Sequence, residues 1–308
     1  MIEGLISIIV PVYNGQRFIE KTLKTLTEQT YKNIEIILVN DGSTDNSKNI
    51  INLISQNNQI FRVFHNTNAG VAAARNFGIA QSRGEFLAFC DQDDLWHPTK
   101  LYKQIKLFGP KQIGLVYTGV IVELTEQQVT TNHNFNNKLR GYVFHELIFK
   151  NMFTCCTVMV RKSFLEQVDG FEEDRGLMGV DDWHLWLKLS LVCEFDYVAE
   201  HLATHVFHGD NYSLNELKMY EAELACLSNI KKHVMSYKIE VNWYDVEQQI
   251  HLRYAQEFVA SGMYKKGGNV YLLASRNNII IIIKGLLFKF LPYAILSYLQ
   301  KVKRNFSA

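Results

Sequence analysis

Along its first hundred residues the chain alternates near-continuous apolar runs with segments whose apolar residues recur every three or four positions, the pattern of a parallel sheet covered by helices. Leu5 to Val12 is apolar almost throughout, as a strand buried on both faces requires. Pro11 sets its end at Tyr13-Asn14-Gly15, because a missing N–H is costly deeper in a sheet. Ile19, Leu23 and Leu26 then make one helical face. Ile34 to Val39, Phe61 to Phe64 and Glu85 to Cys90 read as three more strands. Between them lie a helix burying Ile50, Ile51 and Ile54 and an alanine-rich helix from Gly70 to Ser82.

Polar residues gather just after these strands: Tyr13-Asn14, Asn40-Asp41-Gly42-Ser43-Thr44-Asp45 and Asp91-Gln92-Asp93-Asp94. The second group has the hydroxyls and carboxylates of a helix cap. Open α/β sheets bind ligands beyond the carboxyl ends of their strands, so the clusters are expected to share one crevice. From about Ile113 the pattern is less regular, with strands at Leu115 to Val122 and near Thr157 to Val160 and a polar stretch through Asn137. Beyond Asn215 helical periodicity returns. The apolar stretch Ile279 to Leu299 carries Lys284 and Lys289 and is followed by Lys301, Lys303 and Arg304.

Composition narrows the choice of function. Lys plus Arg (32) nearly balances Asp plus Glu (31), so no global field gathers nucleic acid. Five cysteines, odd in number and without CxxC spacing, argue against a disulfide framework or a structural zinc site and suit a reducing cytosol. The amino terminus lacks a basic n-region and a cleavage site, and no export signal is expected. The turn after the first strand lacks G-x-G-x-x-G and no Walker loop occurs, which demotes dehydrogenase and ATPase readings. A nucleotidyltransferase's glycine- and lysine-rich phosphate loop is not visible either.

Asp91 and Asp93 stand two apart after a strand, where extended backbone aims both to one side. Such hard oxygens suit magnesium or manganese, which suit phosphate. A solvated acidic turn capping a helix near Pro98 is the ordinary alternative, and alone the two weigh equally.

Context decides. Ser7-Ile8-Ile9-Val10-Pro11-Val12-Tyr13-Asn14, Val39-Asn40-Asp41-Gly42-Ser43-Thr44-Asp45, Ala74-Arg75-Asn76 and Asp91-Gln92-Asp93-Asp94 together resemble the family 2 inverting glycosyltransferases of bacterial type. The resemblance runs from residue 5 to about 213. It implies the GT-A nucleotide-diphospho-sugar transferase fold, an α/β architecture with a mostly parallel central sheet flanked by helices. Residues 1–214 would form the catalytic domain, with nucleotide-binding (1–107) and acceptor-binding (108–214) halves, and 215–308 a helical C-terminal extension. The implied activity is metal-dependent transfer of a sugar from a nucleotide diphosphate, a UDP-sugar favoured, to an acceptor hydroxyl. Assembly of a surface polysaccharide or glycolipid is the working expectation.

The family's roles carry over by position. Pro11, Tyr13 and Asn14 fall where such enzymes contact the nucleotide, and the Tyr13 ring can stack on a base, although core filling is the common duty of such a ring. Asp41 resembles the aspartate that accepts a hydrogen bond from the base, suited to uracil N3–H, and can cap a helix as well. Arg75 offers five donors to base or phosphate; a surface ion pair is its default. Asp93 matches the residue touching the metal and Asp91 one reaching ribose or the metal through water, with Mn2+ or Mg2+ neutralising the leaving diphosphate. Asp94 is expected to cap the next helix. His208, in His205-Val206-Phe207-His208, matches a histidine suited to metal or diphosphate contact.

Gly170-Phe171-Glu172-Glu173 followed by Asp181-Asp182-Trp183-His184-Leu185-Trp186 resembles the segment that supplies the catalytic base. Inverting transfer needs one carboxylate to take the acceptor proton. Neighbouring helical residues point about 100° apart, so one of the pair faces the sugar; Asp182 is the choice and Asp181 the fallback. Capping and solvation are their ordinary role. The family usually has Glu at the position of Asp181 and an acid at that of His184.

Ile279 to Leu299 spans 21 residues, nominally enough to cross a bilayer. Two interior lysines, at about 2.5–3.5 kcal/mol each near its centre, and Pro292 argue against crossing. Lying in an anionic membrane interface and packing on protein weigh equally. The former fits a cytoplasmic protein, peripheral on the inner face of the membrane, acting on a saccharide or lipid-linked acceptor. The rival from another class is a non-catalytic sugar-nucleotide or membrane-binding protein of the same fold.

Overall fold

A computed structural model describes residues 1–56, 58–124, 129–132, 138–209, 211–276, 278–292 and 295. The chain divides into two compact units, Met1–Asn211 and Tyr212–Ala308; the sequence placed the break after residue 214.

In the first unit, four strands are parallel: β1 (Ile2–Val12), β2 (Ile34–Asp41), β3 (Phe61–Asn66) and β4 (Gly84–Phe89). Every residue of β2 is buried, as the continuous apolar run requires. Helices α1 (Ile19–Thr27), α2 (Ser47–Ser55) and α3 (Val71–Gln81) connect them. Ile19, Leu23 and Leu26 face the core from α1, and Ile51 from α2 with Ile50 and Ile54 partly buried beside it. Gly78 brings α3 down on β1: a Cβ there would lie 2.6 Å from Ile9 Cγ2. The Ile9 carbonyl accepts from Cys90 N beyond β4, and the β1–β4 ladder stops there. Pro11, two residues on and directed to the same side, lacks an N–H that no strand would have used.

The sheet continues through β5 (Leu95–Trp96), β6 (Ile113–Leu124), β7 (Val129–Asn132), β8 (Met159–Arg161) and β9 (Glu194–Phe207). Among the described residues its order is β3-β2-β1-β4-β8-β6-β9-β5, with β7 paired to β6. Four further helices, α4 (Lys100–Ile105), α5 (Phe144–Leu147), α6 (Lys162–Gln167) and α7 (Asp181–Ser190), complete this unit. The long β9 has no counterpart in the sequence reading. Glu194, Asp196, Glu200 and His201 interrupt its apolar pattern, and register shifts around Gly119 break the alternation against β6. Its antiparallel pairing with β5 brings the loop after β4 against the end of β9. All five cysteines of the chain are buried.

The second unit consists of α8 (Glu216–Val234), α9 (Trp243–Ala260), α10 (Tyr264–Leu273) and α11 (Ile279–Phe290) among the described residues. Tyr220, Tyr254 and Phe258 form an aromatic cluster between α8 and α9. Helices α10 and α11 cross at glycines: a Cβ on Gly268 would meet Lys289 N at 2.5 Å and the Gly285 carbonyl at 2.7 Å. Leu291 turns extended (ψ 143°), as the residue before Pro292 must, and α11 ends after 12 residues. No described helix is long and apolar enough to cross a membrane. Lys301, Lys303 and Arg304 lie outside the described residues.

Candidate functional site

At the end of β1 the Tyr13 ring is exposed rather than filling the core. Its backbone is gripped by Gln92, whose Oε1 accepts from Tyr13 N and whose Nε2 donates to Tyr13 O, both at 2.9 Å. Asn14 takes a left-handed conformation (φ 51°), which asparagine tolerates. Its Oδ1 accepts from Thr44 N at 2.8 Å, bracing the loop after β2. Pro11 is buried within β1 and acts through where it ends the strand.

Asp41 is buried at the end of β2. Its two oxygens accept from Ala69 N and Gly70 N at 2.9 Å each, so it holds the turn into α3 rather than capping α2. It borders a cleft of about 540 Å3 lined also by Asn66, Thr67, Ala73, Asn76 and Glu173. A narrower cleft shares Ala69 and Glu173 with it and reaches Asp181. Asn76 keeps the intervening segment on α3: its Nδ2 donates to Phe171 O and Glu173 Oε1, and its Oδ1 accepts from Phe171 N.

Arg75 departs furthest from its expected surface or ligand-facing place. Only 4% exposed, it donates from Nη2 to Asp91 Oδ1 at 2.6 Å and from Nη1 to Asp181 Oδ2 at 2.5 Å. Burial opposes its charge, but the two carboxylates outweigh burial and hold its pKa well above the usual value. The guanidinium thus joins the loop after β4 to the first turn of α7.

Asp93 and His208 also meet, Oδ2 to Nε2 at 2.9 Å. Burial, with the charges of Asp94 and Asp91, pushes Asp93 up to about 6, against the hydrogen bond from His208. Crowded carboxylates that resist ionisation are an arrangement a cation relieves, and oxygens with an imidazole suit Mn2+ or Mg2+. Asp93 and His208, in contact, can offer an oxygen and an imidazole nitrogen to a divalent ion, whereas Asp91 Oδ1 is engaged by Arg75. Asp94 does not cap the next helix, whose N-cap is Thr99. It is wholly buried and accepts from His205 Nδ1 (2.9 Å) and Val206 N (3.2 Å). Burial opposes charge on His205, yet Asp94 outweighs it and raises the imidazole to about 9. Cys156 stands with this pair, the three ligand atoms lying within 4.8 Å.

The adjacent acids of α7 differ as their helical directions require. Asp181 is buried and tied to Arg75; burial raises its pKa and Arg75 opposes the rise. Asp182 keeps partial exposure, and Oδ1 accepts both of its hydrogen bonds, from Asn151 Nδ2 (3.1 Å) and Trp183 N (2.6 Å). Burial and then Asp181 push Asp182 up to about 7. His184 is buried among the core side chains of α7.

The glycosyl transferase family 2 model matches residues 7–169. The chain belongs to that family. An uncharacterized glycosyltransferase of Rickettsia typhi is 31% identical over 229 residues, 71% of this chain and 70% of that one. One from Rickettsia bellii is 29% identical over 220 residues, 68% of this chain and 31% of its relative. Pasteurella multocida hyaluronan synthase is 29% identical over 222 residues, 69% of this chain and 21% of the synthase. The chain thus spans less than a third of the last two. Among solved structures, residues 1–349 of S. aureus TarS with UDP-GlcNAc superpose with a TM-score of 0.64 at 18% identity, covering 86% of this chain and 80% of that one. The mannosyltransferase PcManGT of Pyrobaculum calidifontis, with GDP-Man and Mn2+, gives 0.60 at 17%, covering 96% and 86%. At such identities the likeness is one of fold, and it is the GT-A fold that the motifs imply.

In this family member the folded chain links Asp91, Arg75 and Asp181, pairs Asp93 with His208, and sets Tyr13 beside Gln92. Sequence reasoning missed Gln92, Asn76, Asn151 and His205 as structural members of the site. Gln92 reads along the chain as a spacer between two acids, and no local signal marks Asn151, 31 residues from Asp182.

Proposed function

We propose that this family 2 glycosyltransferase moves a sugar, with inversion, from a nucleotide diphosphate to a hydroxyl of a saccharide or lipid-linked acceptor. A UDP-sugar is favoured as donor. Assembly of a surface polysaccharide or glycolipid at the cytoplasmic membrane face is the setting, and the hyaluronan synthase among its relatives supports the polysaccharide part of it. The observation that carries the reading is the shared Arg75 guanidinium, which puts the acids after β4 and the acids of α7 around one charge.

The exposed Tyr13 ring stacks on the base. Each Asp41 oxygen retains a lone pair beyond its backbone bond and can accept an imino N–H, a group uracil carries. Asp93, Asp91 and His208 would hold Mn2+ or Mg2+, which when bound supplies Lewis-acid neutralisation of the departing diphosphate. Asp182 takes the acceptor proton on Oδ2, which accepts no hydrogen bond among the described residues, as the acceptor oxygen bonds to the anomeric carbon and the diphosphate leaves from the opposite face. A pKa near 7 makes it a stronger base than an ordinary carboxylate while leaving much of it ionised at neutral pH. Arg75 offsets part of the Asp181 charge that raises Asp182, so the base ionises beside a paired acid.

Calorimetry with UDP, GDP, dTDP and CMP sugars, in Mn2+, Mg2+ or EDTA, on the parent chain and Asp93→Ala tests the donor site. Metal-dependent binding of one nucleotide class, lost in the variant, is expected. Metal-independent binding, or none, would overturn it. Asp182→Asn should keep donor binding and lose turnover. A parent chain that binds donor yet turns over no member of a broad acceptor panel would instead be a non-catalytic sugar-nucleotide binder.

A further inference from the structure

Helix α11 buries one side, and among the described residues nothing covers the other. Its inner side meets α10 at the Gly268–Gly285 crossing. Ile279, Ile280, Ile283, Leu286, Leu287 and Phe290 are all exposed, Ile279 by 64% and Phe290 by 71%. At about 100° per residue these six fall within a sector about 120° wide, a continuous apolar stripe. Lys284 borders the stripe on one side and Lys289 on the other. Asn278 fixes the start of the helix by accepting from Ile280 N and Ile281 N.

The charge distribution says what covers it. From Phe258 to Ala308 there are eight lysines and arginines and no aspartate or glutamate, whereas the rest of the chain carries a net charge of −7. A near-neutral total conceals a cationic end.

We infer that the exposed face of α11 docks onto an anionic lipid bilayer and lies in its interface. Twelve residues rise about 18 Å, against a hydrocarbon core of about 30 Å, so the helix rests in the plane rather than crossing. The stripe enters the acyl boundary while Lys284 and Lys289 reach the headgroups on either side. Symmetric pairing with a second copy would instead set each copy's border lysines near the other's. This deepens the membrane setting proposed above and is independent of the transfer chemistry.

The test is sedimentation of the full chain with vesicles of phosphatidylglycerol in phosphatidylcholine and of phosphatidylcholine alone, at low and high salt. Binding about tenfold or more tighter to the anionic vesicles, weakened by salt, is expected. Ile283→Glu/Leu287→Glu changes only exposed side chains and should abolish binding with an unchanged circular-dichroism melt. Lys284→Gln/Lys289→Gln should reduce the anionic preference. Absence of vesicle binding, or equal binding by parent and Ile283→Glu/Leu287→Glu, overturns the inference. So does a parent dimer that this variant turns monomeric with no effect on vesicle binding, because the face then belongs to a second copy. Donor binding measured on the same samples separates the two readings: vesicle binding can fail while nucleotide-sugar binding stands, or the reverse.

Discussion

Arg75 Nη1 lies 2.5 Å from Asp181 Oδ2, a contact between residues 106 apart in sequence, with the arginine side chain 5% and the aspartate side chain 7% exposed. Removing one member of a buried pair strands the other charge, which costs about 3–5 kcal/mol. Arg75→Met should therefore lower unfolding stability by about that much in urea titrations. Arg75→Lys should recover only part of it, since an ammonium lacks the fork that spans Asp91 and Asp181 together. Unchanged stability in Arg75→Met would show that the bridge is not made in solution.

Asp182 links pH to both rate and stability. As the base it must be ionised, so kcat/KM should rise with pH through about 7. Its folded pKa lies above the unfolded value of about 3.9, so between about pH 4 and 7 the folded chain retains a proton that the unfolded chain has lost. Its contribution to stability is full below pH 4 and is lost as pH rises through 7. Asp182→Asn should then abolish transfer while raising Tm at pH 8 and leaving it nearly unchanged at pH 4. A lower Tm for the variant at pH 8 would contradict the assignment.

The Gln92 amide grips both backbone polar groups of Tyr13. Gln92→Ala should raise KM for the donor with a smaller effect on kcat, because it loosens placement of the base. Gly15→Ala should do the same from the other side: its Cβ would stand 2.1 Å from Gln92 Oε1 and displace the amide. If KM for the donor holds in both variants, the Tyr13 ring is not the base platform.

In the second unit, Gly268→Ala would push a methyl to 2.5 Å from the backbone of Lys289. Overpacking of this kind costs about 1–3 kcal/mol. Amide exchange should accelerate along α11 in this variant. Parent-like protection would place the helix elsewhere.

The four parallel strands were legible because each is an apolar run closed by a turn signal, and Pro11 marks a strand end by chemistry that tertiary packing does not override. β9 was not, since half its residues face partial solvent and its register slips against β6. The site divides in the same way. Asp91, Asp93 and the α7 acids were marked by motif, whereas the burial of Arg75 depends on α3 packing on β1 and β2 while Asp91 and Asp181 close on its guanidinium from the loop after β4 and from α7. Asp94 read as a helix cap because its partner, His205, arrives from 111 residues away.

The five buried cysteines give this protein an intrinsic clock. Burial pushes the thiols of Cys90, Cys155, Cys156 and Cys193 up, so a reagent that needs the thiolate finds almost none in the folded chain. Labelling in native buffer then counts openings rather than reactivities. Four of these thiols time the sheet-containing unit, and Cys226 on α8 times the helical one, so a single alkylation series under identical conditions reads the lifetimes of both.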